Sequence, residues 1–231
     1  MKRPRATVVA ASVVAEVRAD HPHAGVRGSC GRLAMRRGSV RMLVLKLSTE
    51  IPLAEPNAEF GFITWLDVVI REFDSRNPAP VGTARVAVIH CGEALNHGVS
   101  MHDVLDQDSE GLGVLDGLFF EDGSLKDDYG NGVGSDVLYF DSLELRLDWH
   151  GRNVEAAVVR RILDAWGQGC AIGVMPADEV SRWNMIGFDS AHEASSGEQG
   201  YVYMDLSLKH PRVAQTDDDG HTFGIDVDDP V

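Results

Sequence analysis

The stretch from Val137 to Phe188 constrains the fold more than any other part of this chain. It reads as a strand (VLYFDSLELRL), a short turn (DWHGRN) and an amphipathic helix (VEAAVVRRILDAWG). A second strand (CAIGVM) follows, then a short helix closing on RWNMIGF. A strand running through a turn into a helix N-terminus is a natural seat for a phosphate-bearing ligand. The first N–H groups of the helix lack intrahelical acceptors, and the helix dipole points its positive end the same way.

At 231 residues the chain can bury a proper core, and one domain is the natural expectation. With 44% hydrophobic and 25% charged residues it has the composition of a soluble globular protein, expected in the cytoplasm. No run approaches the roughly 18 consecutive apolar residues that a membrane span needs, so no membrane partner is expected. The formal charge is −15 and unevenly spread: residues 1–46 hold ten Lys or Arg against Glu16 and Asp20, a net of +8, which leaves −23 for the remainder. So acidic a body repels nucleic-acid backbones and favours cationic small molecules or basic partners. Cys30, Cys91 and Cys170 are odd in number and widely spaced, which fits incidental thiols in a reducing compartment rather than a disulfide framework.

Residues 1–40 are rich in Arg, Ala, Val and Gly and have little apolar periodicity. They are expected to lie outside the fold, disordered, with the true start at Met35 or Met42. The organised chain, 41–208, opens with MLVLKLST, whose Leu43, Leu45 and Leu47 alternate as in a strand. FITWLDVVIREFD and VGTARVAVIHC read as two further strands joined across the turn SRNPAP, an antiparallel hairpin. From Glu93 to Phe120 the apolar residues recur at three- and four-residue spacing, a helical signal weakened by glycines at 98, 111, 113 and 117. EDGSLKDDYGNGVGSD reads as a polar loop and GYVYMDLSL as a last strand. Residues 209–231 read as an acidic, mobile tail. The fold class expected is α+β: a mixed, mostly antiparallel sheet of about six strands flanked by helices.

The order of these elements, the run His150-Gly151-Arg152-Asn153-Val154-Glu155-Ala156-Ala157 and the closing Ile186-Gly187-Phe188 resemble the GNAT superfamily of acyl-CoA N-acyltransferases. The resemblance covers residues 41–208 in outline and about fifty residues in motif detail. It implies acetyl-CoA, or a related acyl-CoA, as co-substrate. The pyrophosphate would be held by His150, Gly151, Arg152, Asn153, Val154 and Ala156, and the pantetheine arm would run along Leu145 and Leu147. It also implies a carboxylate on the preceding strand as general base toward an amine, for which Glu144 is the first candidate and Asp141 the second. Their spacing on a regular strand puts the two on opposite faces. Of the departures from the family pattern, which include His150 for the usual Arg or Gln, Asn153 for a glycine and Pro176 nearest to where an Asn is usual, two bear most on the chemistry. Glu155 stands where a glycine of the phosphate turn belongs, although it also suits the first turn of a helix that Asn153 would cap. Trp183 replaces the usual tyrosine acid, and an indole N–H donates hydrogen bonds but is no acid at neutral pH.

The function implied is acyl transfer, most simply acetyl, to a small or cationic amine by direct attack in a ternary complex. A homodimer is left open. The alternative is a GNAT-like domain that has lost catalysis and serves as a binding or protein-interaction module, and a third reading is an acidic surface that docks a basic partner. No metal is expected. His97 and His102 are five residues apart and fall on different sides of a helix. A calcium loop counted from Asp127 would place Tyr129 and Leu138 at ligand positions.

Overall fold

Seven strands form one central sheet in the order β1-β2-β3-β6-β7-β9-β8. The computed structural model describes residues 42–50, 61–73, 79–108, 110–129, 134–191, 200–216 and 221–228. The expectations for residues 1–40 and for most of the SRNPAP turn therefore lie outside the described residues. In chain order the sheet and its first helical layer are β1 (Leu43–Thr49), β2 (Ile63–Glu72), β3 (Gly82–Ile89), α1 (Cys91–Asn96), α2 (Met101–Asp108) and α3 (Glu110–Phe119). A small hairpin follows, β4 (Phe120–Glu121) and β5 (Ser124–Leu125), then β6 (Asp136–Leu145) and a 3-10 turn over Leu147–Trp149. The remainder is α4 (Val154–Trp166), β7 (Cys170–Pro176), α5 (Val180–Asn184), β8 (Asp189–Ser190), β9 (Tyr201–Asp205), β10 (Arg212–Gln215) and β11 (Phe223–Asp226). The α+β class expected from the sequence is what the chain adopts, with β6 and β7 the parallel pair in an otherwise antiparallel sheet.

The sheet is covered on both faces, and strand alternation sorts its side chains between two cores. Leu66, Val86, Leu138 and Phe140 face α4, whose Val154, Val158, Val159, Ile162 and Leu163 are buried against them, at about 2 kcal/mol per fully buried side chain. Ala87, Ile89, Val137, Tyr139, Ile172 and Val174 face the other way, onto Ala94, Met101, Leu105, Leu112, Leu115 and Phe119 of α1–α3. β7 is central and covered on both sides, and Cys170–Met175 is accordingly buried without a break. Gly173 lets α4 lie close: a Cβ there would stand 2.7 Å from Leu163 Cδ2.

The chain corrects three readings made from sequence. The helical stretch from Glu93 is three helices. The first ends in a Schellman motif at Gly98 (φ 70°), where Val99 N–H donates to Ala94 O and Gly98 N–H to Leu95 O. The polar loop opens with the β4–β5 hairpin, because Asp122 (φ 52°) and Gly123 (φ 79°) supply the two positive-φ residues of a tight turn. Residues 209–231 are not a bare tail: β10 and β11 pair, and Val213, Phe223 and Ile225 pack against the α4-side core. The net acidity of this segment concealed a short alternating pattern whose apolar face is satisfied only by tertiary contact.

Candidate functional site

The parallel pair β6–β7 is joined only from Asp136–Cys170 to Tyr139–Val174; beyond that the strands part. β6 continues to Leu145 paired with β3 alone, and β7 continues to Pro176 paired with β9 alone. The gap opens a cleft of about 580 Å³, lined by Phe140–Leu145 on one lip and Met175–Glu179 on the other. Arg182 and Trp183 of α5, with His150 and Glu155, complete the walls. The parting coincides with a bulge. Val86 faces Phe140 and Arg85 faces Ser142, so Asp141 is the extra residue.

That bulge reverses a sequence expectation. Phe140 packs toward α4, and past the bulge Leu143 and Leu145 do so too, which turns Ser142 and Glu144 to the α1–α3 face. Burial raises the pKa of the Tyr139 and Tyr201 phenols, and the negative charge of Asp141, their neighbour on that same face, adds to the rise. Glu144 and Asp141 therefore share a face of the sheet instead of opposing one another. The inserted residue shifts the two-residue alternation by one.

The turn before α4 is held in left-handed backbone at Gly151 (φ 74°) and Asn153 (φ 54°). Asn153 occupies the N-cap position without a side-chain cap bond. Its Nδ2 instead donates to the Phe223 carbonyl at 2.8 Å, and Phe223 N–H donates to the Arg152 carbonyl at 3.0 Å, so β11 is fastened across the turn. Arg152 lies 5.4 Å from the centroid of Trp149, whose other neighbour is the His221 ring at 4.6 Å. His150 Nε2 donates to the Leu145 carbonyl at 3.0 Å and ties the turn to the end of β6. Nothing lies within 4 Å of where a Gly151 Cβ would stand, so this corner of the backbone is open to approach.

Glu155 does not stand out into the turn. It is 6% exposed, folded beneath α4, with Oε1 2.8 Å from Arg182 Nη2. Its Oε2 is buried and has no hydrogen-bond partner among the described residues. Arg182 in turn lies 5.5 Å from the ring centroid of Trp183, which packs edge-on against Phe188. Of the charged side chains lining the cleft, Asp141, Glu144, Glu155, Asp178 and Glu179 are acidic and Arg182 alone is basic, with His150 beside them.

The structure thus sorts the residues proposed from sequence into two groups. Glu144, Asp141, Leu145 and His150 line the cleft. Gly151, Arg152, Asn153, Val154 and Ala156 form the turn and first helical residues beside it, with Val154 buried in the core. Leu147 belongs to neither: it is 86% exposed on the 3-10 turn. Sequence reasoning missed Asp178, Glu179 and Arg182. The available signal was the charge-rich DEVSR following a fully apolar strand, and it pointed nowhere until α5 brought it over Glu155. Among the described residues no three His, Cys, Asp or Glu side chains gather as a metal-ligand set. His90 bridges Thr64 (2.9 Å) and Asp136 (3.3 Å). Cys91 and Cys170 are free thiols held protonated by burial, Cys170 pushed up to about 12. No helix among the described residues is long and apolar enough to cross a membrane. The chain matches no family model, and neither a curated protein nor a solved structure is significantly similar to it.

Proposed function

We propose that this chain is an acyl-CoA-dependent N-acyltransferase of the GNAT type, acting in the cytoplasm on an amine. The observation that carries the reading is the parting of β6 from β7 after Tyr139–Val174, with the N-terminus of α4 at the edge of the cleft it opens. A parted pair leaves one edge of β6 without a strand partner, and such an edge can take an extended amide-bearing arm by strand addition. The residues of the turn suit a diphosphate. The first N–H groups of α4 lack intrahelical acceptors, Gly151 is open to close approach, and Arg152 brings a cation. The objection raised by Glu155 is weaker than its position in sequence implies, since its charge is buried and paired with Arg182.

Acyl-CoA would supply an activated thioester, and the chain's own part is to orient and to move a proton. In this reading the ammonium gives its first proton to solvent, and Glu144, exposed at the lip of the cleft, takes the second as the neutral amine attacks, with Asp141 on the same face as the second candidate. The amine nitrogen bonds to the acyl carbon, the carbon–sulfur bond breaks, and the thiolate leaves. Trp183 cannot protonate it, but a thiolate is stable enough to depart without an acid. The test is titration of the full chain with acetyl-CoA, followed by release of free thiol in the presence of a panel of amines. Binding with turnover that is lost in Glu144→Gln supports the reading, and no heat at about millimolar ligand refutes it. A second reading, a binding module without catalysis, is favoured by the hydrogen bonds that fasten β11 across Arg152 and Asn153.

A further inference from the structure

We propose that Thr64, His90 and Asp136 form a nucleophile–base–carboxylate row that takes the acyl group of small activated esters onto Thr64 Oγ1. The row stands apart from the β6–β7 cleft and does not depend on the acyltransferase reading. Asp136 opens β6, whereas the cleft lining begins at Phe140, about 13 Å further along the strand. Sheet register assembles the row. Pairing of Ile89 with Val137 sets Asp136 opposite His90, and pairing of Ile63 with Ile89 leaves Thr64 on the diagonal from His90, within side-chain reach. The imidazole spans both neighbours: Nε2 is 2.9 Å from Thr64 Oγ1 and Nδ1 is 3.3 Å from Asp136 Oδ2. Asp136 is itself fixed, its Oδ1 accepting from the Gly92 N–H and the Ser135 hydroxyl, each at 3.3 Å.

The order of the three groups is what activates a hydroxyl. Burial opposes the ionisation of Asp136, but the bonds from His90 and Gly92 prevail and hold its carboxyl below the ordinary value, so it is charged at neutral pH. A carboxylate only accepts, so Nδ1 bears the proton of the neutral ring and Nε2 offers its lone pair to the Thr64 hydroxyl. Solvent reaches the row: the His90 and Asp136 side chains are 28% and 24% exposed, and Thr64 is half-buried. Cys91 does not compete, because its Sγ donates to the Ile89 carbonyl at 3.6 Å and burial raises its pKa. Thr64 Oγ1 bonds to the acyl carbon as its proton passes to His90 Nε2. The bond from that carbon to the leaving oxygen breaks, and this oxygen takes the proton from Nε2, leaving acyl-Thr64 and a free alcohol or phenol. Water then attacks by the same route, its proton passing through Nε2 to Thr64 Oγ1 as the carboxylic acid departs. The methyl on the threonine Cβ crowds the tetrahedral carbon, so the donor class is a short acyl group on a good leaving group.

The experiment treats the full chain with p-nitrophenyl acetate, quenches in acid and locates added acetyl groups by peptide mass spectrometry, with the urea-unfolded chain as background. Thr64 is expected to gain an acetyl group at least about 100-fold faster in the native chain than in the unfolded one, the scale of a positioned general base. His90→Gln is expected to bring that rate down to the background. Asp136→Asn is expected to lower it at least about tenfold, and Asp136→Glu, which keeps the charge, to recover part of the loss. Thr64→Ser removes only the crowding methyl and is expected to keep the rate or raise it. Melting curves show which variants are folded, and the result on the native chain needs no variant. Three results overturn the inference: no acetyl on Thr64 of the native chain, a Thr64 rate unchanged in folded His90→Gln, or equal losses in Asp136→Asn and Asp136→Glu. No acyl-CoA enters the experiment, so its outcome is separate from that of the acetyl-CoA titration.

Discussion

The two partners of the Glu155–Arg182 pair are buried to very different depths, and their removal is expected to have opposite effects. Glu155 is 8% exposed as a side chain and Arg182 47%. In Arg182→Ala the carboxylate stays under α4 with neither oxygen compensated. Breaking a buried pair from one side costs about 3–5 kcal/mol, a figure to be lowered to about 2–4 kcal/mol here because water already reaches the guanidinium. Glu155→Met keeps the volume and removes the unpaired Oε2, relieving about 1–3 kcal/mol. The bond lost from Oε1 contributes about 1 kcal/mol when its donor is half in water. The net expectation is therefore a gain of about 0–2 kcal/mol. For a domain of this size each kcal/mol moves the melting temperature by roughly 2–4 °C, so the two variants should melt well apart. Urea unfolding should be followed by far-ultraviolet circular dichroism, because Arg182 lies over Trp183 and its loss would alter tryptophan fluorescence directly. If Glu155→Met loses more than about 1 kcal/mol, or loses more than Arg182→Ala, the asymmetry argument is wrong and Oε2 has a partner after all.

Other expectations can be checked on the same protein. Ending the chain after Pro211 removes the Phe223 and Asn153 bonds and uncovers the α4-side core, so the melting temperature should fall by several degrees, and an unchanged value would mean that β10–β11 contributes nothing to the fold. Ile162→Ala, at a side chain 1% exposed between α4 and the sheet, should cost about 2–5 kcal/mol in urea unfolding; a loss below about 1 kcal/mol would show that α4 packs loosely. Burial holds the His210 imidazole below its usual value, with Nε2 donating to the Asp205 carbonyl at 2.6 Å. A depressed histidine contributes stability above the unfolded-state value of about 6.5, and that stability is lost as pH falls through the folded value. The melting temperature should therefore drop on acidification below about pH 6.5, and His210→Gln should flatten that slope without abolishing the fold.

Much of the architecture was legible in one dimension. Leu43, Leu45 and Leu47 alternate because an edge strand is covered on one face. Val154, Val158, Val159 and Ile162 recur at helical spacing because α4 lies on the sheet, and Cys170–Met175 is apolar throughout because β7 is covered on both faces. Those periods are local consequences of burial, so the strand–turn–helix–strand core and the α+β class could be read directly. What tertiary structure alone decided is where that periodicity is broken or satisfied from far away. The bulge at Asp141 depends on β6 having to follow β3 while leaving β7, and it moved Glu144 to the face it shares with Asp141. Glu155 looked like an exposed first-turn carboxylate until Arg182, 27 positions on, was folded over it. Phe223, which read as part of a polar tail, closes on Asn153 across 70 residues. Charge pairing and edge bonding act through space, so no window of sequence contains both partners. The site is set by contacts of that kind, and the fold that carries it by contacts a few residues long.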